Sequence, residues 1–168
     1  MTAKQYENWT AGLRRHPESI RVLSAANVLT TGIVYAAYLL YLGFVLLTNT
    51  TRLLPAVLIP GISFVLLTLV RDRINAPRPY EALDIRPLLL KDTKGHSFPS
   101  RHVFSVFVIA FTVGVHIHWA GIALGTVGLL ISLIRVLAGI HFPRDVLAGM
   151  LSGIACGLIG FLILSVLS

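Results

Sequence analysis

The sequence predicts an all-α fold, a polytopic membrane bundle of about five transmembrane helices preceded by an N-terminal interfacial helix. Of its 168 residues, 55% are apolar and only 12% are charged, whereas a soluble domain is roughly 45–50% apolar and about 25% charged. Four runs of 30, 18, 33 and 23 residues contain no Asp, Glu, Lys or Arg. A spanning helix needs roughly 20 mostly apolar residues. The composition therefore excludes an ordinary soluble domain and a disordered chain.

The first 20 residues are predicted to form an interfacial amphipathic segment. Tyr6, Trp9 and Leu13 share one helical face, and charged residues occupy the rest of the turn. Aromatic side chains beside cations suit the lipid head-group layer. A frayed tail is the alternative interpretation. Pro17 is expected to start the next helix, since proline is tolerated in a first turn.

Residues 21–168 are predicted to form a single membrane domain. The expected spans cover about residues 21–48, 53–70, 101–115, 120–137 and 141–167, the long third run being divided at His116-Ile117-His118-Trp119. Five crossings leave the N-terminus, residues 71–100 and residues 135–145 on one side of the membrane. Three polar clusters that are distant in sequence are thereby expected to meet at one face.

Small residues predict close helix packing in the last span. Gly149, Gly153 and Gly157 recur every four residues, a spacing that lets helices approach closely in lipid. An internal packing face is the favoured interpretation and a homodimer interface is the alternative. Gly121 and Gly125 of the fourth span are candidate partners inside the bundle.

The net charge of +7 points to anionic partners at the membrane surface. The cations lie at the ends of apolar runs, so lipid head groups or a phosphate-bearing substrate suit them better than nucleic acid, which needs an exposed basic face with aromatic platforms. The membrane itself is thus the first expected partner.

The first polar cluster, residues 71–79, contains Arg71, Arg73 and Arg78 at the end of a predicted span. Arginines at that position commonly reach the interface and signal topology. Alternatively, they form an anion-binding site, because one guanidinium group can donate two hydrogen bonds to the oxygens of a phosphate and stays charged.

The second cluster is Ser97-Phe98-Pro99-Ser100-Arg101-His102, at the start of the third span. Serine and proline there are typical of a helix cap. A helix N-terminus with free N–H groups is also an anion site, to which Arg101 adds charge and His102 a proton donor.

The third cluster is Arg135, His141 and Asp145. A histidine and an aspartate four residues apart are expected to share one helical face. The carboxylate would then fix the imidazole tautomer and leave the other ring nitrogen free to attack. A helix-start pair without chemistry is the alternative.

Together the clusters resemble the three motifs of the phosphatidic acid phosphatase type 2 family. Arg71, six residues and Arg78-Pro79 resemble the first motif, and Pro99-Ser100-Arg101-His102 resembles the second, Pro-Ser-Gly-His. Arg135, five residues, His141, three residues and Asp145 resemble the third. The sequence departs from the pattern where Arg71 replaces lysine, Arg101 replaces glycine and Ile134 replaces serine.

The resemblance implies hydrolysis of a lipid phosphate through a phosphohistidine, with no metal or other cofactor. His141 would be the nucleophile, Asp145 would orient it and His102 would act as acid and then base. The phosphate would be bound by Arg71, Arg78, Ser100, Arg101 and Arg135. Such a cage suits phosphoryl transfer, which depends on positioning and charge stabilisation.

The sequence is compatible with several lipid substrates and with more than one biochemical role. Phosphatidylglycerol phosphate, phosphatidic acid and polyprenyl diphosphate are the candidate substrates, and Arg101 or Arg73 would contact a second phosphate. The alternatives are a lipid phosphotransferase using the same histidine and a non-catalytic lipid-binding membrane protein. An integral, multi-pass membrane location is expected (the plasma membrane if the protein is bacterial), with the site at the interface. Thirteen of the 14 Lys and Arg residues fall on the side of the site, which predicts a cytoplasmic site.

Overall fold

The protein is a bundle of α-helices around one short central helix. The computed structural model describes residues 1–89, 91 and 93–167, and every regular element in those ranges is helical. The helices are α1 (Ala3–Arg14), α2 (Pro17–Thr48), α3 (Leu53–Ile74), the single turn α4 (Pro79–Ala82), α5 (Arg101–His116), α6 (His118–Leu137) and α7 (Pro143–Leu167). Ser168, the end of the predicted membrane domain, lies outside the described residues.

The helix ends follow from local sequence. Thr2 and Gln5 form a capping box at the start of α1. Pro17 begins α2, as predicted, and Asn75 ends α3 in the left-handed conformation at φ 42°. Ser100 precedes α5 with extended backbone dihedrals, and its side chain makes no capping hydrogen bond.

The predicted set of five membrane helices is confirmed. Within the described ranges, four helices are long and apolar enough to cross a bilayer, and α5, with 16 residues, is shorter. At about 1.5 Å per residue a helix of that length falls short of the roughly 30 Å hydrocarbon layer. Nine residues of α5 are buried, which shows that it is enclosed by the other helices rather than by lipid.

The glycines of α7 pack inside the bundle, as predicted. A Cβ at Gly149 would lie 2.6 Å from the Ser100 carbonyl oxygen, and one at Gly153 would lie 2.7 Å from that of Phe104. The side chain of Phe111 occupies the equivalent space at Gly157. This face of α7 is therefore covered by α5 and is not free for a second copy.

The predicted pairing of this stripe with the glycines of α6 is wrong. Gly121 lies against Gly114 of α5, and nothing comes within 4 Å of a Cβ built at Gly125. The central position of α5 separates the glycines of α7 from those of α6. The glycines of α7 and Gly121 therefore pack against α5 rather than against each other.

The long connection between α3 and α5 meets the turn between α6 and α7 at one end of the bundle. The Leu88 N–H donates to the Ala138 carbonyl oxygen at 3.1 Å, and the Ser100 N–H donates to that of Asp145 at 2.8 Å. The predicted convergence of the polar clusters is thus observed.

Helix α1 also lies at this end of the bundle. Only one of its two aromatic residues is exposed, whereas both were predicted to face the lipid head groups. Tyr6 is 0% exposed and Trp9 is 49% exposed. The prediction of Tyr6 in the head-group layer is therefore wrong, because its hydroxyl finds protein partners at Leu88 and Leu137.

Candidate active site

A buried histidine occupies the turn between α6 and α7. His141 is 2% exposed. The chain reverses at Gly139, whose φ of +74° lies in the region that favours glycine. The N–H groups of Ile140 and His141 then donate to the Arg135 carbonyl oxygen at 3.2 and 3.3 Å. One short turn thereby fixes the spacing between Arg135 and His141.

The expectation that His141 and Asp145 share a helical face is wrong, because α7 begins only at Pro143. His141 instead lies before the helix, and Asp145 in its first turn reaches back toward it. The Asp145 Oδ2 atom accepts the Phe142 N–H at 2.9 Å and lies 3.6 Å from His141 Nδ1. The predicted pairing is thus present through a capping geometry, and Nε2 is the ring nitrogen that faces away from the carboxylate.

Ser97 completes this pair, although the sequence did not single it out. Its hydroxyl donates to Asp145 Oδ2 at 2.6 Å and lies 3.4 Å from His141 Nδ1. Its own N–H donates to the Ala76 carbonyl oxygen at 2.9 Å, which fixes the backbone there. The sequence feature that could have pointed to Ser97 was its place in the second cluster, four residues before Arg101.

The surroundings keep the imidazole neutral. Burial lowers the pKa of His141 to about 4, the hydrogen bond with Asp145 opposes this shift, and the positive charges of Arg78 and Arg135 reinforce it. A neutral imidazole has the free electron pair that a nucleophile needs.

Three arginines surround this pair and are almost fully buried. Arg71, Arg78 and Arg135 are 6%, 5% and 4% exposed. The Arg71 guanidinium donates to the carbonyl oxygens of Pro99 and His96. These bonds use two of its five donors, so the same side chain holds the second motif in place and keeps donors free.

The other two arginines differ in how far the protein satisfies them. Arg78 donates from Nε to the Gly95 carbonyl oxygen at 3.0 Å and from Nη1 to that of Ile140 at 3.5 Å. The buried Nε of Arg135 has no partner in the described part of the chain. An unpartnered buried donor is costly, which indicates that an acceptor from outside completes this site.

The excess of buried positive charge also indicates an anion-binding site. The ion pairs among residues 1–89, 91 and 93–167 include neither Arg71, Arg78 nor Arg135, and Asp145 is the buried carboxylate of this region. Uncompensated buried charges are strongly unfavourable. The cage is therefore suited to a bound anion.

The N-terminus of α5 adds neutral donors to the cage. Ser100 is fully buried and its hydroxyl has no partner among the described residues. The first N–H groups of a helix are also free and carry the positive end of its dipole. Gly149 permits the close approach of α7 to this point.

His102 and Arg101 take different positions at this helix start. His102 is partly buried and lines a cavity beside Thr31 and Tyr35 of α2. The guanidinium of Arg101 is exposed and lies 5.4 Å from the centre of the Phe64 ring. Arg101 is thus exposed, unlike the three buried arginines, and Arg73 is exposed on α3.

Lys91 is a further cation that the sequence did not single out. Burial, together with the charges of the four arginines of the three motifs, lowers its pKa to about 8. It lies in a polar connection that has no recognisable motif, so only the folded structure indicates its place near the cage.

No group of three or more His, Cys, Asp or Glu side chains is arranged as a metal site within the described ranges.

Known proteins resemble this chain in sequence and in fold. The chain is 29% identical to the bacitracin transport permease protein BcrC of Bacillus licheniformis over 133 residues, 76% of this chain and 66% of that relative, just under two thirds of its length. LpxE of Aquifex aeolicus superposes with a TM-score of 0.73 at 28% identity, covering 95% of this chain and 94% of that one.

A second solved structure has the same fold at lower identity. The PAP2-type phosphatidylglycerolphosphate phosphatase of Bacillus subtilis superposes with a TM-score of 0.73 at 22% identity, covering 98% of this chain and 87% of that one. The PAP2 superfamily model matches residues 52–167, which span α3 to α7 and all three motifs. The family identified from the motifs is confirmed: this multi-pass membrane protein belongs to the PAP2 superfamily.

Proposed function

We propose that the protein is an integral membrane phosphatase that hydrolyses the phosphate of a lipid through a phosphohistidine intermediate. The observation that carries the proposal is the buried cage of Arg71, Arg78 and Arg135 around His141. The cage has an excess of positive charge and an unpartnered Nε on Arg135. A phosphate group supplies both the charge and the acceptors that this cage lacks.

The first step is attack by His141 on phosphorus. The electron pair of Nε2 forms the N–P bond, while the bond from phosphorus to the ester oxygen, or to the bridging oxygen of a diphosphate, breaks and its electron pair stays on that oxygen. His102, held in its charged form by the bound phosphate, gives its proton to this oxygen, so the lipid leaves as an alcohol or, from a diphosphate, as a monophosphate. Asp145 and Ser97 hold the Nδ1 side of the ring and stabilise the positive charge that develops.

The second step is hydrolysis of the intermediate. His102, now neutral, takes a proton from water, whose oxygen attacks phosphorus. The N–P bond breaks, its electron pair returns to Nε2, and inorganic phosphate is released. The free donors of Arg71, Arg78 and Arg135 and the start of α5 at Ser100 would hold the phosphoryl oxygens through both steps.

A lipid substrate suits the position of the cage at one end of the membrane helices. The acyl or prenyl chains could stay in the bilayer while the phosphate enters the cage. Phosphatidic acid, phosphatidylglycerol phosphate and polyprenyl diphosphate all fit this description. A relative of the same fold is named as a phosphatidylglycerolphosphate phosphatase, which supports including that lipid.

The test is phosphate release from these three lipids by purified protein in detergent with excess EDTA. We expect release that persists in EDTA and is lost in His141→Ala. His118→Ala is the matched control, since His118 lies at the other end of the bundle, at the start of α6, and should leave the rate unchanged.

The other outcomes separate the alternatives. Release abolished by EDTA would overturn the metal-free mechanism. Phosphoryl transfer only to an added alcohol would favour the phosphotransferase. Lipid binding by folded protein without turnover would favour the non-catalytic lipid-binding protein.

A further inference from the structure

Tyr6, in the first turns of α1, joins three parts of the chain. Its hydroxyl accepts the Leu88 N–H at 3.1 Å and donates to the Leu137 carbonyl oxygen at 3.2 Å. Leu88 belongs to the connection between α3 and α5, and Leu137 is the last residue of α6. One phenol therefore makes hydrogen bonds to two backbone groups, each more than 80 residues away in sequence.

The tyrosine also supports the turn that follows α6. A Cβ built at Gly139 would lie 2.7 Å from the Tyr6 hydroxyl oxygen, so this oxygen occupies the space that a side chain would need. The Leu88 N–H that bonds to Tyr6 also donates to Ala138. Residues 138 and 139 are thus held between α1 and the long connection.

The supported turn carries the proposed nucleophile. The Gly139 N–H donates to the Val136 carbonyl oxygen at 3.0 Å, and the next two N–H groups donate to Arg135. Any displacement of residues 138–140 therefore moves His141 relative to Asp145, which is fixed separately by Ser97.

Helix α1 has further anchors that hold Tyr6 in place. Thr10 is fully buried, so this face of α1 is packed against the rest of the protein, while its hydroxyl donates within the helix to the Tyr6 carbonyl oxygen at 2.8 Å. The Arg14 guanidinium lies 5.7 Å from the centre of the Tyr6 ring and donates to the Arg86 carbonyl oxygen. The helix is thus fastened to the same connection at both of its ends.

We infer that α1 is a positioning element for the reaction and that Tyr6 is its positioning residue. The Tyr6 hydroxyl fixes the turn at residues 138–141, so that His141 stays aligned with Asp145 and with the arginine cage. This inference rests on the proposed function for its effect on the reaction, but not for its effect on the turn. The whole of α1 lies outside residues 52–167, the range that the family model matches.

The test compares two variants that each remove one tyrosine hydroxyl. Tyr6→Phe removes the hydroxyl at the turn. Tyr38→Phe is the matched control, because its hydroxyl donates to the Ala56 carbonyl oxygen at 2.8 Å and so joins α2 to the start of α3. We expect Tyr6→Phe to lower kcat about tenfold with little change in KM, because small misplacements of a reacting group cost rate rather than binding.

The readout that does not depend on activity is amide hydrogen exchange in detergent. We expect the N–H groups of Ile140 and His141 to exchange faster in Tyr6→Phe and at the unchanged rate in Tyr38→Phe. Unchanged exchange in Tyr6→Phe would overturn the inference, as would faster exchange with unchanged kcat. If the natural chain hydrolyses none of the lipids, the proposed function fails, and the exchange result alone decides whether Tyr6 holds the turn.

A second pair of variants keeps the test informative if Tyr6→Phe does not fold. Arg14→Gln loosens α1 while leaving the phenol intact, and it should accelerate the same exchange and lower kcat to a smaller extent. Arg15→Gln is its control, since Arg15 is exposed and makes no side-chain hydrogen bond within the described ranges. Equal effects of the two variants would contradict the inference.

Discussion

The Ser97 hydroxyl donates to the Asp145 carboxylate at 2.6 Å across 48 residues of sequence. This bond joins the second motif region to the third. The same carboxylate oxygen accepts the Phe142 N–H at 2.9 Å, so two donors orient it toward His141. The orientation of the proposed nucleophile thus depends on a residue that precedes the second motif.

Ser97→Ala should lower kcat while leaving the fold intact. A hydrogen bond to a charged group contributes about 1.5–3 kcal/mol, which corresponds to roughly 10–100-fold in rate if the bond acts in the transition state. The assay is phosphate release at saturating lipid. Ser132→Ala removes a serine hydroxyl that donates to a carbonyl oxygen within α6 and should have no effect. Equal rates for Ser97→Ala and the natural protein would show that Phe142 alone suffices.

The ionisation of His141 should be shifted to low pH. Because burial lowers its pKa to about 4, from an ordinary 6.5, the free protein should hold a neutral imidazole throughout the range from pH 5 to 7. The neutral form then contributes stability above pH 6.5 that is lost as the pH falls toward 4. NMR of ¹⁵N-labelled histidine, assigned by loss of one signal in His141→Gln, measures this. A midpoint near 6.5 would contradict the prediction.

Asp145→Asn tests the partner of the same imidazole. The carboxylate raises the pKa of His141, so its replacement should lower that pKa further. It should also reduce kcat by roughly 10⁴-fold, the loss seen when an orienting aspartate becomes asparagine and the wrong tautomer is favoured. Asp72→Asn is the control, because Asp72 is exposed on α3 and pairs with His96 rather than with the reacting histidine. A loss of less than tenfold would mean that the tautomer is fixed by other groups.

Features that depend on local sequence could be predicted, whereas features that depend on contacts between distant residues could not. The membrane helices were predictable because lipid demands long apolar runs, and the proline at the start of α2 marked its boundary. Arg135, His141 and Asp145 were recognisable because their spacing is a motif. The helical face proposed for His141 was wrong because Pro143 starts α7 two residues later, and the carboxylate reaches back instead.

Contacts between residues that are distant in sequence were not predictable. Ser97 and Lys91 lie in a connection without periodicity, and only the fold brings them near the cage. Tyr6 matched the pattern of an interfacial aromatic residue, and its burial depends on two backbone partners that no sequence pattern indicates. The packing of Gly121 likewise depends on which helix occupies the centre of the bundle.

Lys91 should determine the high-pH limb of the pH profile, the range in which kcat/KM falls as the pH rises. Its pKa is lowered from 10.5 to about 8, so the free protein loses this cation as the pH rises through 8, and kcat/KM should fall with it. A bound phosphate favours the charged amine, so the corresponding fall in kcat should occur at higher pH. Lys91→Met should remove this limb and lower kcat/KM at pH 7. Lys94→Met, an exposed lysine of the same connection, is the control. A limb that persists in Lys91→Met would assign it to another group.

Arg101 should favour a second phosphate on the substrate. Its exposed guanidinium lies over the Phe64 ring, one residue after Ser100 of the cage, and we expect it to contact a group attached to the bound phosphate. Arg101→Gly, which restores the residue of the family motif, should lower the ratio of diphosphate to monophosphate kcat/KM by about tenfold, as expected for one charge-assisted hydrogen bond. Arg73→Gln should leave the ratio unchanged. If Arg73→Gln changes the ratio and Arg101→Gly does not, the roles of the two arginines are reversed.

The site should face the cytoplasm. The five crossings place 13 of the 14 Lys and Arg residues on the side of the site, with Arg52 alone on the other. Without the four motif arginines, nine remain against one, so the asymmetry does not depend on phosphate binding. Positive residues are retained in the cytoplasm, so the C-terminus, at the other end of α7, should lie outside. A reporter that is active only outside the cytoplasm, fused after Ser168, measures this. Activity of a cytoplasm-specific reporter at that position would reverse the orientation and place the site on the outer face.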